Sequence, residues 1–98
     1  MAVRAVEAVA RGIVQGVGFR WFAARVANDL GLSGWVANQD DGSVLLVAEG
    51  DARAIEDLLS ALREGPAGAA VSGVEVRDLV ATGAGGRFEI RAGFHRGD

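Results

Sequence analysis

Hydrophobic and polar residues alternate from Arg4 to Val14, with Val6, Ala8, Ala10 and Val14 on one side and Glu7 and Arg11 on the other. A repeat of two predicts a strand with its even side toward a core. The repeat then changes. Phe19, Phe22, Ala23, Val26 and Leu30 fall at helical spacing, so a helix is expected over 19–30, closed by Gly31. Trp21 and Arg25 fall off that stripe. Gly34 to Asn38 is short and strand-like, and Gln39-Asp-Asp-Gly42 supplies a turn. Asp-Gly between two strand-like runs is a strong hairpin signal. Ser43 to Ala48 is continuously apolar, as in a central strand covered on part of both faces.

A second helical stripe follows at Ile55, Leu58, Leu59 and Leu62, with Asp51 placed to cap it and Gly65-Pro66 to stop it. Val71 to Leu79 alternates again, and Val74 and Val76 give its even side the stronger claim on the core. Ala81 to Gly86 reads as a flexible loop, Phe88 to Ile90 as a short last strand, and 92–98 as a frayed tail. The string is βαββαβ with a terminal β segment. Two split βαβ units of this kind form a ferredoxin-like α+β sandwich, one antiparallel sheet with two helices on one face.

Composition narrows the chemistry. The chain has 98 residues, half of them hydrophobic, which suits one domain over 1–98. No apolar run approaches the roughly 20 residues that span a bilayer, and the N-terminus does not read as a signal peptide. A cytoplasmic protein that needs no membrane is expected. There is no cysteine, all ten basic residues are arginine, and the one histidine, His95, lies in the tail. Thiol chemistry, Schiff-base lysines, a serine–histidine triad and a histidine-rich zinc site are therefore poor fits. The net charge of −3, with both signs scattered, argues against a broad nucleic-acid footprint.

The stretch Gly12-Ile-Val-Gln-Gly-Val-Gly-Phe-Arg20 stands out. Glycines at 16 and 18 free the backbone to turn consecutive N–H groups into a concavity that suits an anion. The helix start behind them adds unsatisfied N–H groups and a positive dipole end. Arg20 in a first helical turn opposes that dipole, at roughly 0.3–1 kcal/mol, unless an anion sits between them. A solvated arginine after a glycine turn is the alternative. Asn38 poses a similar choice. It is either a turn residue bonded to local backbone or a functional amide brought near Arg20, and spacing does not decide. Asp40 and Asp41 read as turn residues and Glu49 as a strand end. The hydroxyls at Ser33, Ser43, Ser60, Ser72 and Thr82 have no histidine partner in any signature. Trp21 reads as a surface aromatic before a wall of the anion loop.

The same stretch resembles the first signature of the acylphosphatase family, and Gly34-Trp-Val-Ala-Asn-Gln-Asp-Asp-Gly-Ser-Val44 resembles the second. The resemblance implies the ferredoxin-like fold with strand order 4-1-3-2, and hydrolysis of small acyl phosphates to carboxylate and phosphate. It implies that Arg20 binds the phosphate, that Asn38 orients the attacking water, and that the N–H groups of Gln15, Gly16, Val17, Gly18, Phe19 and Arg20 form the cradle. It implies no metal and no cofactor. The expected partner is the small acyl phosphate alone, with a monomeric protein and no nucleic acid. Ser43 stands where some members have threonine, and the tail past Ile90 departs from the family's usual chain end. Competing readings are a non-catalytic small-anion sensor, an accessory domain of a carbamoyl-transfer system, and an RNA-binding module. RNA-recognition domains of this fold carry stacking aromatics on central strands, and neither the first nor the third strand here has any.

Overall fold

The computed structural model describes residues 2–92; the tail expected beyond that point, with His95, lies outside the described residues. The order of elements is β1 (Val3–Ile13), α1 (Phe19–Asp29), β2 (Ser33–Asn38), β3 (Val44–Asp51), α2 (Ala52–Glu64), β4 (Ala70–Leu79) and β5 (Phe88–Arg91). The sheet runs β4-β1-β3-β2-β5. Its first four strands have the expected 4-1-3-2 order and are antiparallel, while β5 adds to the free edge of β2 in parallel, so the sheet is mixed.

Register explains the core. Val6, Ala8 and Ala10 lie opposite Ala48, Leu46 and Val44, and Val36 lies opposite Leu46, so these side chains share one face. Both helices pack there, α1 over β2, β3 and β5 and α2 over β1, β3 and β4. From α2, Ile55, Leu58, Leu59 and Leu62 are buried as their spacing predicts. Each fully buried aliphatic side chain contributes about 1.5–3 kcal/mol, which fixes that helix firmly. The small alanines of β1 let the helices approach closely. A bulge between Arg11 and Gly12 shifts the pairing with β4 as β1 leads into Val14, which is buried.

Four expectations change. The buried face of α1 is Phe19, Ala23, Ala24 and Ala27, rotated from the predicted stripe. Phe22, Val26 and Leu30 are half-buried at its margin, where Val26 and Leu30 still pack against the core. Asp51 occupies the N-cap of α2 but makes no capping bond through its side chain. Val74 packs on the core, whereas Val76 remains 36% exposed, because β4 is an edge strand. The glycine-rich loop before β5 is not loose at its start. The Glu49 carboxylate accepts from the Thr82 N–H and Oγ1, each at 2.9 Å, and from the Gly83 N–H at 2.5 Å. That segment must carry the chain from one edge of the sheet to the other, and Glu49, on β3, holds it on the way.

Candidate active site

The site lies where the end of β1, the start of α1 and the end of β2 meet. Gly16 and Gly18 have φ of 73° and 77°, the left-handed region that side chains other than glycine adopt at a cost. Gly18 is the N-cap of α1, and the first helical bond runs from the Phe22 N–H to the Gly18 carbonyl at 3.0 Å. The N–H groups of Phe19, Arg20 and Trp21 therefore have no acceptor one turn earlier, and among the described residues no side chain caps them. Phe19 is buried at 2% exposure and anchors this end of the helix over the sheet. Those free donors are thereby held in place.

Asn38 ends β2 opposite Val44, on the face that carries the helices. Split βαβ topology sets it beside the loop after β1. A cavity of about 120 Å³ is lined by Val14, Gly16, Gly18, Phe19, Arg20, Trp21 and Asn38. Arg20 and Asn38, 18 positions apart in the chain, thus share one small space. The Asn38 Oδ1 is buried and has no hydrogen-bond partner among the described residues. An unpaired buried acceptor costs about 1–3 kcal/mol, so it is an unusual feature for a purely structural amide.

Other residues hold the turn that Asn38 could have braced. The Gln39 N–H donates to the Ser43 carbonyl at 2.9 Å, and the Gln39 Nε2 donates to the Ser43 Oγ at 2.9 Å. The Asp41 Oδ1 accepts from the Ser43 N–H at 3.0 Å and from its hydroxyl. These bonds, the hydroxyl first, hold the Asp41 carboxyl below its ordinary value, and Arg11 adds to the effect. Asp41 is therefore a turn residue, as its position suggested. Glu49 is likewise structural, with its carboxyl lowered by the Thr82 and Gly83 N–H groups.

Of the residues expected in the cradle, Gly16, Gly18, Phe19 and Arg20 line the cavity, while Gln15 and Val17 do not. Val17 packs against the core. Gln15 has a role that sequence reasoning missed. Its Nε2 donates to the carbonyls of Gln39 at 2.7 Å and Ser43 at 2.9 Å, tying the loop after β1 to the hairpin. Arg91 was missed as well. Its carbonyl accepts from the Arg20 Nη1 at 2.9 Å, and its guanidinium lies 4.6 Å from the Trp35 ring centre on the other face of the sheet. Only one of five guanidinium N–H donors of Arg20 is used in that bond, so the rest can meet an anion. Trp21 proves to be both things at once, 76% exposed and part of the cavity wall. Neither the Gln15 brace nor the Arg91 carbonyl has a local sequence signal, because both depend on strands that pair far along the chain.

This arrangement suits a small oxyanion: free backbone donors, a helix N-terminus and a guanidinium around a space of phosphate size. Among the described residues no three metal-ligating side chains gather, and no helix is long and apolar enough to cross a membrane.

Comparison with known proteins agrees with the geometry. The acylphosphatase family profile matches residues 6–90. An acylphosphatase of Methylococcus capsulatus is 47% identical over 88 residues, covering 90% of this chain and 96% of that one. The crystal structure of acylphosphatase from Bacillus subtilis superposes with a TM-score of 0.86 at 34% identity, covering 90% of this chain and 98% of that one. Full-length HypF, in its phosphate- and nucleotide-bound form, matches at 30% identity and a TM-score of 0.86 over 98% of this chain and 13% of its own. With two signatures, the five-stranded sandwich and relatives of nearly equal length in agreement, the chain belongs to the acylphosphatase family, hydrolases that act on acid anhydrides.

Proposed function

We propose that the protein hydrolyses small acyl phosphates with Arg20 and Asn38 as its catalytic residues. The phosphoryl group sits in the cradle, held by the Arg20 guanidinium and by N–H groups of the loop and first helical turn. Asn38 holds a water for in-line attack on phosphorus. The bond from phosphorus to the acyl oxygen breaks, the carboxylate leaves, and a phosphate oxygen takes the proton of the water. An acyl phosphate is a mixed anhydride with a good leaving group, so orientation and fixed positive charge carry the reaction without a strong base. The guanidinium and the backbone dipoles supply that charge, and neither metal nor cofactor enters the scheme. The protein works as a monomer in the cytoplasm on a small-molecule substrate, without nucleic acid.

The observation that supports this reading best is a single small cavity lined by both Arg20 and Asn38, with the buried Asn38 oxygen unpaired among the described residues. The test is phosphate release from acetyl phosphate and benzoyl phosphate by the purified protein, against a boiled control. Release well above the control is expected. Release no faster than the control would overturn the proposal.

A further inference from the structure

The cradle opens beside a larger apolar space. Its volume of about 120 Å³ is a third of that of a neighbouring groove of about 370 Å³, which runs between α1 and β5. Trp21 lines both. From there the groove follows one face of α1, over Ala24, Arg25 and Asn28, with Phe88 and Ile90 of β5 as its other wall. Those helix positions are three, four and seven residues past Trp21 and so share a side. Ile90 directly precedes Arg91, whose carbonyl holds the Arg20 guanidinium at 2.9 Å. The groove therefore meets the cradle at Trp21, the residue after Arg20 in the chain.

We infer that this groove is the acyl subsite and that it takes an apolar acyl group, aromatic or aliphatic. The inference rests on the hydrolase reading above. In-line displacement puts the leaving carboxylate opposite the attacking water. The water belongs on the side of Asn38, whose oxygen is buried at the end of β2, and the leaving group belongs toward the open rim, where Trp21 is 76% exposed. The rim continues as an indole, an alanine and an isoleucine. The one amide in the groove offers little to a polar ligand, because it is already engaged. The Asn28 Nδ2 donates to the Phe88 carbonyl at 3.2 Å, and its Oδ1 accepts from the Phe88 N–H at 3.0 Å. That double bond pair also fastens β5 to α1, so the groove is formed before a ligand arrives. Arg25 is its single charged member.

The experiment compares kcat/KM for benzoyl phosphate and acetyl phosphate, each divided by its uncatalysed rate of hydrolysis. The expected preference for benzoyl phosphate is about tenfold or more, the scale of filling an apolar subsite. Trp21→Ala and Ile90→Ala should each bring that ratio toward one, and Trp21→Phe should restore most of it. Calorimetry with phenylphosphonate and methylphosphonate gives a readout free of turnover, with the phenyl compound binding tighter to the wild type than to Trp21→Ala. Trp21 is exposed, so its variants remain informative even if Ile90→Ala fails to fold. Hydrolysis of both substrates with no preference, or a preference that both variants keep, would place the acyl group elsewhere and leave the hydrolase reading intact. Failure to hydrolyse either compound or to bind inorganic phosphate would remove the hydrolase reading and this inference together.

Discussion

The side-chain amide of Gln15 donates to the backbone carbonyl of Gln39 at 2.7 Å, joining positions 24 apart in the chain. The same nitrogen reaches the Ser43 carbonyl at 2.9 Å. Gln39 follows Asn38 directly, so the bond couples the loop that leads into Arg20 to the strand end that carries Asn38. The two halves of the site are thus held at a fixed separation by a residue that does not line the cavity.

Gln15 should therefore act as a positioning residue. Gln15→Ala removes one of two donors from each carbonyl, since the Gly42 N–H still reaches the Gln39 oxygen and the Gln39 N–H the Ser43 oxygen, so the stability cost is about 0.5–1.5 kcal/mol. It should lower kcat about 10- to 100-fold, the scale of a small misplacement, while inhibition by inorganic phosphate stays near the wild-type value. Gln15→Glu should be worse than alanine above the carboxylate's pKa, since an anion would face two carbonyl oxygens. Steady-state kinetics and urea titration of both variants check this. Wild-type kcat in folded Gln15→Glu would count against the coupling.

Arg20 and Asn38 should separate in binding. Arg20→Ala should lose turnover and phosphate affinity together, because the guanidinium meets the phosphoryl group in both ground and transition states. Asn38→Ala should lose at least about 10²-fold in turnover and still bind phosphate. It should not unfold the hairpin, since Ser43, Asp41 and Gln15 hold the turn. Normal phosphate binding by folded Arg20→Ala would put the anion site elsewhere, and near-full activity in Asn38→Ala would end the water-orienting role.

Gly16→Val and Gly18→Val test the cradle through its backbone. A Cβ at either position meets no atom within 4 Å, so the penalty comes from φ of 73° and 77° alone. That penalty is about 1–3 kcal/mol, paid either as lost stability or by a loop that relaxes away from the anion geometry. Circular dichroism should show the fold retained, while the inhibition constant for phosphate rises. Unchanged phosphate inhibition in both variants would mean the loop is not the cradle.

Glu49 should make stability depend on pH in the acid range. Its carboxyl is held below the ordinary 4.5 by the Thr82 N–H first and the Gly83 N–H next. A carboxyl lowered in the folded state contributes fully above its unfolded value and loses that contribution as pH falls through the folded one. Glu49→Gln should therefore lower the urea midpoint at pH 7, and the difference from wild type should shrink below pH of about 4.5. A difference constant from pH 7 to pH 3 would show that the ionised carboxylate is not what holds the loop.

What could be read along the chain was whatever depends on near neighbours. The two-residue repeat of β1, the stripe Ile55-Leu58-Leu59-Leu62, the Asp-Gly turn and the glycines at 16 and 18 each state their conformation within a few residues. The same locality made the two family signatures legible, since each is a single unbroken stretch. The rotated face of α1 was not legible, because alanine is weakly apolar on its own and becomes core only where a sheet of small residues admits close approach. Nor could periodicity show that β5 would join β2 in parallel, or that Glu49 would hold Thr82 and Gly83. Asn38 is the clearest case. Its residue type and its place before a turn allow either a brace or a functional amide. Only the pairing of β2 with β3, which sets its side chain on the helix face beside the start of α1, puts it in one cavity with Arg20. Local conformation follows from short-range sterics and hydrogen bonding, but which side chains converge depends on strand register and helix docking, and those exist only once the whole sheet is assembled.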